Sequence, residues 1–316
     1  MKIFVSRLCP LEPLRPLRDS GWSIDMYEHD SECPRAELLR RTEESDALLV
    51  QSTDQIDLEF FERARRLKVV TTCTLGYDHI DLDAAKSHNV MVCNSPSADL
   101  IATTAEAATA LLLSVAKRIT RLHNCQQKNE FPPYSFVEPM GVPVRDRVCG
   151  IIGFGRVGSA IARIMKDGFD NSILYYSRSP KPDLEQSLGA QRRTLEEILT
   201  ESDFVFIAVP LTNETRNLIS SSELRNLGRN AIIVNVARAG ILDDQALIQM
   251  LAENRIFGAG LDVYESIVTK SRHPNLVLTA HMSNGETQAS QAILDLAVSN
   301  IVSVLNNKPP ISPVTD

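Results

Sequence analysis

The stretch with the clearest chemical content is Cys149-Gly-Ile-Ile-Gly-Phe-Gly-Arg-Val-Gly-Ser-Ala-Ile-Ala-Arg-Ile-Met165, in which Gly153, Gly155 and Gly158 fall in G-x-G-x-x-G spacing. A short apolar run precedes the glycines and an apolar-faced helical pattern follows them. That order is what a phosphate-binding turn requires. The first glycine permits the tight turn, the second lets a pyrophosphate approach the backbone, and the third lets the helix pack close to the sheet. The unsatisfied amides and the dipole at the helix start then favour an anion. About twenty residues further on, where an acidic side chain selects NAD by bonding the adenosine ribose, the chain reads Tyr175-Tyr-Ser-Arg-Ser-Pro-Lys181. Ser177, Arg178 and Ser179 place hydroxyls and a guanidinium there. Such a set suits a 2′-phosphate through charge-assisted bonds, whereas a carboxylate would repel it. NADP(H) is the expected cofactor, with NAD(H) as the alternative.

These residues need a parallel sheet to hold them, and the sequence supplies two βα series. In the first hundred residues, Lys2–Val5, Ser23–Tyr27, Ala47–Val50, Val69–Thr72 and Val90–Cys93 read as strands, with helical patterns such as Arg35–Thr42 and Leu58–Arg65 between them. Alternation of this kind predicts a parallel sheet covered on both faces, with ligand loops at the strands' C-terminal ends. Ala98–Ile119 reads as one long apolar helix, able to cross between domains or pack on a partner subunit, and Asn129–Val144, with four prolines, as a loop. From Val148 a second series gives six strands: Val148–Ile152, Ile173–Tyr176, Phe204–Val209, Ala231–Asn235, Gly258–Asp262 and Leu276–Thr279. The last helix, Thr287–Leu305, is expected to return to the first domain. The expected division is therefore 1–97 with 286–316 as one discontinuous domain, and 98–285 as the dinucleotide-binding domain.

At 316 residues the chain is long enough for two domains, and its 43% hydrophobic and 23% charged content is that of a globular protein. A net charge of -7 without a Lys/Arg block argues against nucleic acid as a partner. The N-terminus reads directly into a strand, and no apolar run is expected to reach the roughly 20 residues of a membrane span. Six cysteines without C-x-x-C or metal-ligand spacing predict reduced thiols, no metal site and a cytoplasmic location.

Taken together, these residues carry a resemblance. The chain resembles the D-isomer-specific 2-hydroxyacid dehydrogenases, most closely their glyoxylate/hydroxypyruvate reductase branch. The match includes Leu75-Gly-Tyr-Asp-His-Ile-Asp81, Asn94-Ser-Pro96, Ala102-Thr-Thr-Ala-Glu106, Gly153–Gly158, Tyr175-Tyr-Ser-Arg178, Val209-Pro-Leu-Thr212, Asn235-Val-Ala-Arg238, Gly260-Leu-Asp-Val-Tyr-Glu265 and Leu278-Thr-Ala-His281. The resemblance implies an α/β fold of two doubly wound domains, a Rossmann domain inserted into a flavodoxin-like substrate domain, usually as a homodimer. It implies that Arg238 pairs with the carboxylate of a small 2-oxo acid and polarises its carbonyl, and that His281 donates the proton to the carbonyl oxygen. Ser52 and Thr53 would line the substrate pocket, and the turn at Leu75 and Gly76 would offer amides to the carboxylate. Arg156 and Val157 would cover the pyrophosphate, with Pro210 and Thr215 beside the adenosine half. Thr104, Asp262 and Ser283 would border the nicotinamide, Asp262 holding its amide, and Val236, Ala237 and His281 would also contact the cofactor.

The match departs at one catalytic position. The family's Glu that bonds the His, five residues past the Asp, falls on Ile267. The nearby acid is Glu265, and the loop Ser266–Pro274 is shorter than usual. Either the short loop brings Glu265 to His281, or His281 works without a carboxylate; Glu265 in its usual register points away, which favours the second. Reduction would then weaken at lower pH than in relatives. Ala239, Ser283 and the Met282-Ser-Asn-Gly-Glu286 segment also depart from the family's small, apolar residues. The reading that follows is an NADPH-dependent reductase of a glyoxylate- or hydroxypyruvate-like 2-oxo acid, giving the D-2-hydroxy acid. Alternatives are a dehydrogenase for another anion, such as a sugar acid or phosphonate, and a catalytically weakened NAD(P)-sensing binding protein.

Overall fold

The computed structural model describes residues 1–130 and 141–314. The chain divides into two units, Met1–Leu100 with Gly285–Asp316, and Ile101–Asn284.

In the first unit the strands are β1 (Lys2–Val5), β2 (Ser23–Met26), β3 (Ala47–Val50), β4 (Val69–Thr72) and β5 (Met91–Cys93), interleaved with helices α1 (Arg15–Asp19), α2 (Arg35–Thr42), α3 (Leu58–Arg63) and α4 (Leu82–Ser87). All pair in parallel in the order β2-β1-β3-β4-β5. This is the flavodoxin-like order, which reverses between the first and third strands. The central strands are short apolar runs because both faces are covered: Ala47–Val50 and Val69–Thr72 are buried at every position. One face packs Phe60, Phe61, Leu38 and Leu39 from the helices, and the other packs Ile293, Ala297, Val298 and Ile301 of the C-terminal helix Thr287–Leu305.

The second unit contains α5 (Ala98–Ala116, which begins in the first unit), α6 (Ile119–Gln127), β6 (Val148–Ile152), α7 (Arg156–Phe169), β7 (Ser172–Tyr176), α8 (Pro182–Leu188), β8 (Gln191–Arg192), α9 (Leu195–Glu201), β9 (Phe204–Ile207), α10 (Ser221–Leu224), β10 (Ile232–Asn235), α11 (Asp244–Ala252), β11 (Gly258–Leu261) and β12 (Leu276–Leu278); α12 is the returning helix Thr287–Leu305. Seven parallel strands run β12-β11-β10-β9-β6-β7-β8, the dinucleotide-binding order with one strand added. Hydrophobic layers cover both faces, one built on Leu111, Leu112, Ile161 and Met165, the other on Ile198, Leu199, Leu247 and Leu251.

Three expectations change. The second sheet has seven strands rather than six, because the two-residue β8 is exposed and carries no apolar signal. The long helix expected over Ala98–Ile119 ends at Ala116, and Arg118 adopts a left-handed φ of 53° before α6. The returning chain sets this break: Val142 N–H donates to Ala116 O at 2.9 Å, and Lys117 Nζ donates to Val142 O at 3.2 Å. Finally, Ala98–Ala116 and Thr287–Leu305 are each long and apolar enough to cross a membrane by length and composition, although no run of that length was expected; 50% and 44% of them are buried inside the protein, as in core helices. Of the loop expected over Asn129–Val144, residues 131–140 lie outside the described residues.

Candidate active site

The glycine turn in the second unit is built as its spacing requires. Gly153 has φ +100°, a conformation that side chains rarely adopt, and a Cβ there would stand 2.5 Å from Ala208 O. A Cβ on Gly158 would meet Gly153 O at 2.0 Å, so helix and turn touch only because it is absent. Gly155 is different: a Cβ there would meet nothing within 4 Å. No neighbour in the protein demands a glycine at that position, and the space above it suits the approach of a ligand. Arg156 and Val157 open α7 directly after it, with Gly155 as the cap residue and no side chain capping the amides. The turn sits where the sheet order reverses, between β6 and β9. The turn after β9 is fixed by Thr215, whose Oγ1 donates to Pro210 O at 2.6 Å and accepts from Thr212 N–H at 2.7 Å.

Beyond β7, Ser177 is half-buried and Arg178 and Ser179 are exposed. The Ser177 hydroxyl donates to Ser179 O at 2.5 Å, folding the loop on itself. Phe154, between the first two glycines, stacks on Tyr175 with ring centroids 4.2 Å apart. The Tyr175 hydroxyl accepts from Lys181 N–H at 3.0 Å and bonds Glu185. The glycine turn and the loop after β7 are thus packed through one pair of rings. These features fit a dinucleotide: an open glycine turn with uncapped helix amides, and a loop of hydroxyls and a guanidinium beside it.

Arg238 lies in the turn after β10 and His281 in the turn after the edge strand β12, with β11 between the two strands. Two buried polar residues shape these turns. Asn235, at the end of β10, accepts from Ala237 N–H at 3.0 Å and donates its Nδ2 to Arg238 O at 3.1 Å, while Arg238 Nη1 donates to Ala237 O at 2.8 Å. Asp262, 1% exposed, grips the other turn. Its Oδ1 accepts from the Thr279 hydroxyl (2.7 Å) and Met282 N–H (2.9 Å), its Oδ2 from Ser283 N–H (3.1 Å), and its carbonyl from His281 N–H (2.9 Å). That grip holds His281 at φ 54°, uncommon for a side-chain-bearing residue. A bond between Asp262 N–H and Asn235 O (3.0 Å) joins the two devices. Val236 and Ala237 are buried beside Arg238, Thr104 is buried on α5, and Ser283 is buried within the His281 turn.

The short segment after β11 forms a 3₁₀ turn, Ser266–Lys270, with Val268 fully buried and Ile267 36% exposed. Glu265, exposed, starts that turn, and its backbone N–H donates to Asp244 Oδ2 at 2.6 Å. Asp244 is itself buried, which pushes its carboxyl up to about 6. His273 accepts from Asn275 N–H at 3.3 Å, and burial lowers its pKa.

In the first unit, the loops after β1, β3 and β4 line one end of the sheet. Asp54, 3% exposed, accepts from the Ser6 hydroxyl (2.5 Å) and from Gln51 N–H (2.8 Å), closing the turn that presents Ser52 and Thr53; Arg7 Nη2 donates to Thr53 Oγ1 at 3.2 Å. Asn94 Nδ2 donates to Leu75 O (2.7 Å) and the Thr74 hydroxyl to Gly76 O (2.6 Å). Because C=O and N–H are antiparallel across a trans peptide, these bonds turn the Gly76 and Tyr77 amides the other way. His79 is buried and its Nε2 bonds Thr72 Oγ1 at 3.1 Å, a structural position.

The sequence analysis missed Asn235 as a shaping residue, Asp54 and Asp244 altogether, and the turn-pinning role of Asp262. Asn235 and Asp262 lay inside recognised motifs, but their bonds to backbone depend on turn geometry that spacing does not report.

Comparison with known proteins bears on this geometry. A family model described as D-isomer specific 2-hydroxyacid dehydrogenase, NAD binding domain, matches residues 109–283. The chain is 37% identical to the glyoxylate reductase of Thermococcus kodakarensis over 317 residues, covering 98% of this chain and 94% of the relative. Among solved structures, the TT0316 protein of Thermus thermophilus matches with TM-score 0.92 and 32% identity over all of both chains. An NADPH-dependent glyoxylate/hydroxypyruvate reductase from Sinorhizobium meliloti, solved with NADP and malonate, matches with TM-score 0.84 and 25% identity, covering 99% of this chain and 96% of that one.

Proposed function

The chain belongs to the D-isomer-specific 2-hydroxyacid dehydrogenases, nicotinamide-dinucleotide enzymes, and from that premise we propose that it is an NADPH-dependent reductase of a glyoxylate- or hydroxypyruvate-like 2-oxo acid, forming the D-2-hydroxy acid. One observation carries the reading: the turns bearing Arg238 and His281, after β10 and β12 of the dinucleotide-binding sheet with β11 between them, are each built around a buried polar residue, Asn235 and Asp262. Turns so constrained preorganise a cation and an acid for one small anion.

In this reading Arg238 binds the substrate carboxylate with its planar fork and draws electron density from the adjacent carbonyl. A dinucleotide held by the Gly153–Val157 turn at its pyrophosphate and the Ser177–Ser179 loop at its adenosine ribose would supply the hydride for the carbonyl carbon. The His281 imidazolium gives its proton to the carbonyl oxygen and is left neutral, so the product carries one new C–H and one new O–H bond. Asp262 keeps the turn in register and borders the nicotinamide. The Leu75–Gly76 turn and Ser52–Thr53 serve the substrate. His281 works without the family's usual Glu, Ile267 standing in that position and Glu265 tied at its backbone to Asp244. The enzyme is proposed to be a cytoplasmic homodimer, its mass in solution being the check on assembly.

The test is NADPH and NADH oxidation against glyoxylate, hydroxypyruvate, sugar acids and phosphonopyruvate across pH. The expected result is turnover with NADPH preferred, glyoxylate or hydroxypyruvate best, and a Glu265→Gln variant with an unchanged pH profile. A best rate with a sugar acid or phosphonate would replace the substrate, and tight NADPH binding without turnover would replace the enzyme reading with a sensor.

A further inference from the structure

Arg192 belongs to no motif that pointed to the cofactor. It lies on the two-residue edge strand β8, paired with Tyr175 of β7. Its Nη2 donates to two successive carbonyls, Ser177 O and Arg178 O, each at 2.9 Å. One guanidinium nitrogen therefore fixes two peptide planes of the loop that the Proposed function places at the adenosine ribose. With both carbonyls drawn toward Arg192, the N–H groups of Arg178 and Ser179 are turned to the opposite side. Successive amides facing one way make an anion-binding concavity. The far end of the loop is held separately, by Lys181 N–H on the Tyr175 hydroxyl.

We propose that Arg192 is a positioning residue for cofactor selection: it holds the Ser177–Ser179 loop in the conformation that presents its amides and the Arg178 guanidinium to a 2′-phosphate. This rests on the NADPH reading above. Loss of Arg192 would leave two carbonyl oxygens free to turn toward the phosphate.

The experiment is calorimetric binding of NADP⁺, NAD⁺, 2′,5′-ADP and 5′-AMP to the wild type, Arg192→Gln and Arg192→Lys, with melting curves to confirm folding. The wild type is expected to bind 2′,5′-ADP more tightly than 5′-AMP. Arg192→Gln is expected to lose about ten-fold for NADP⁺ and 2′,5′-ADP while changing less than about two-fold for NAD⁺ and 5′-AMP, with Lys between Gln and Arg. If the wild type shows no preference for the 2′-phosphate, the NADPH reading fails and this inference with it. If the wild type shows the preference and Arg192→Gln keeps it, or loses both ligand classes equally, the inference is overturned and the NADPH reading stands.

Discussion

Asp262 spends its carboxylate on three donors from one turn, Thr279, Met282 and Ser283, and that turn carries His281. Asp262→Asn keeps the shape but replaces one acceptor with an N–H group facing another N–H. A buried charged hydrogen bond contributes about 1.5–3 kcal/mol, and a displacement of about 1 Å at a proton donor can cost 10²-fold in rate. The expected outcome is a lower melting temperature with kcat for 2-oxo acid reduction down about a hundred-fold, while NADP⁺ affinity measured by fluorescence falls much less. Arg238 is argued in the same way. Lysine keeps the charge but not the fork, so Arg238→Lys should raise KM and lower kcat/KM by about 10²–10³-fold, with the fold unchanged by circular dichroism. The candidate residues of this site were named from the family resemblance, since Arg238 and His281 by themselves read as ordinary polar residues after strands. Their supports were not: Asn235 lay unassigned inside a motif, and Asp262 was expected at the nicotinamide rather than as the pin of the His281 turn.

The glycine turn allows its positions to be separated by substitution. A methyl on Gly158 would run into backbone, Gly153 O at 2.0 Å, whereas one on Gly155 would enter open space. Gly158→Ala is therefore expected to destabilise by about 1–3 kcal/mol or more. Gly155→Ala should melt near the wild type but lose about ten-fold or more in dinucleotide affinity, since the pyrophosphate must approach that backbone. Thermal melts paired with NADP⁺ titrations distinguish the two. Most strands were legible because a four-residue apolar run such as Phe204–Ile207, buried throughout, signals a covered parallel sheet. The edge strand β8 was not, having only Gln191 and Arg192, both exposed. The break at Arg118 was equally hidden, because a distant segment at Val142 takes up the carbonyl of Ala116.

Across the whole molecule, two parallel sheets follow the orders β2-β1-β3-β4-β5 and β8-β7-β6-β9-β10-β11-β12, and the loops proposed to meet the ligands follow the C-terminal ends of strands. The alternation of strands and helices made the α/β class legible, while the family motifs carried the chemistry. Stability against pH is a property at this scale, and Asp244 gives it a sign. Burial raises its pKa from 3.8 to about 6, more than its bond from Glu265 N–H lowers it. The folded state holds this proton more tightly, so stability falls as pH rises from about 4 to about 6, and the full cost persists above. Asp244→Asn keeps an oxygen for Glu265 N–H and removes the buried charge. It should gain roughly 1–2 kcal/mol at pH 8, with the gain vanishing near pH 4, in urea unfolding at both pH values.

On the proposed function, Arg238 and His281 reduce a 2-oxo acid to one hand of product. This is tested most directly by incubating the enzyme with hydroxypyruvate and NADPH and resolving the glycerate on a chiral column, alongside His281→Asn. The account predicts D-glycerate in one-to-one ratio with NADPH consumed, and a rate at least about 10²-fold lower in the variant, whose NADP⁺ binding is retained. L-glycerate, or a variant as fast as the wild type, would contradict it.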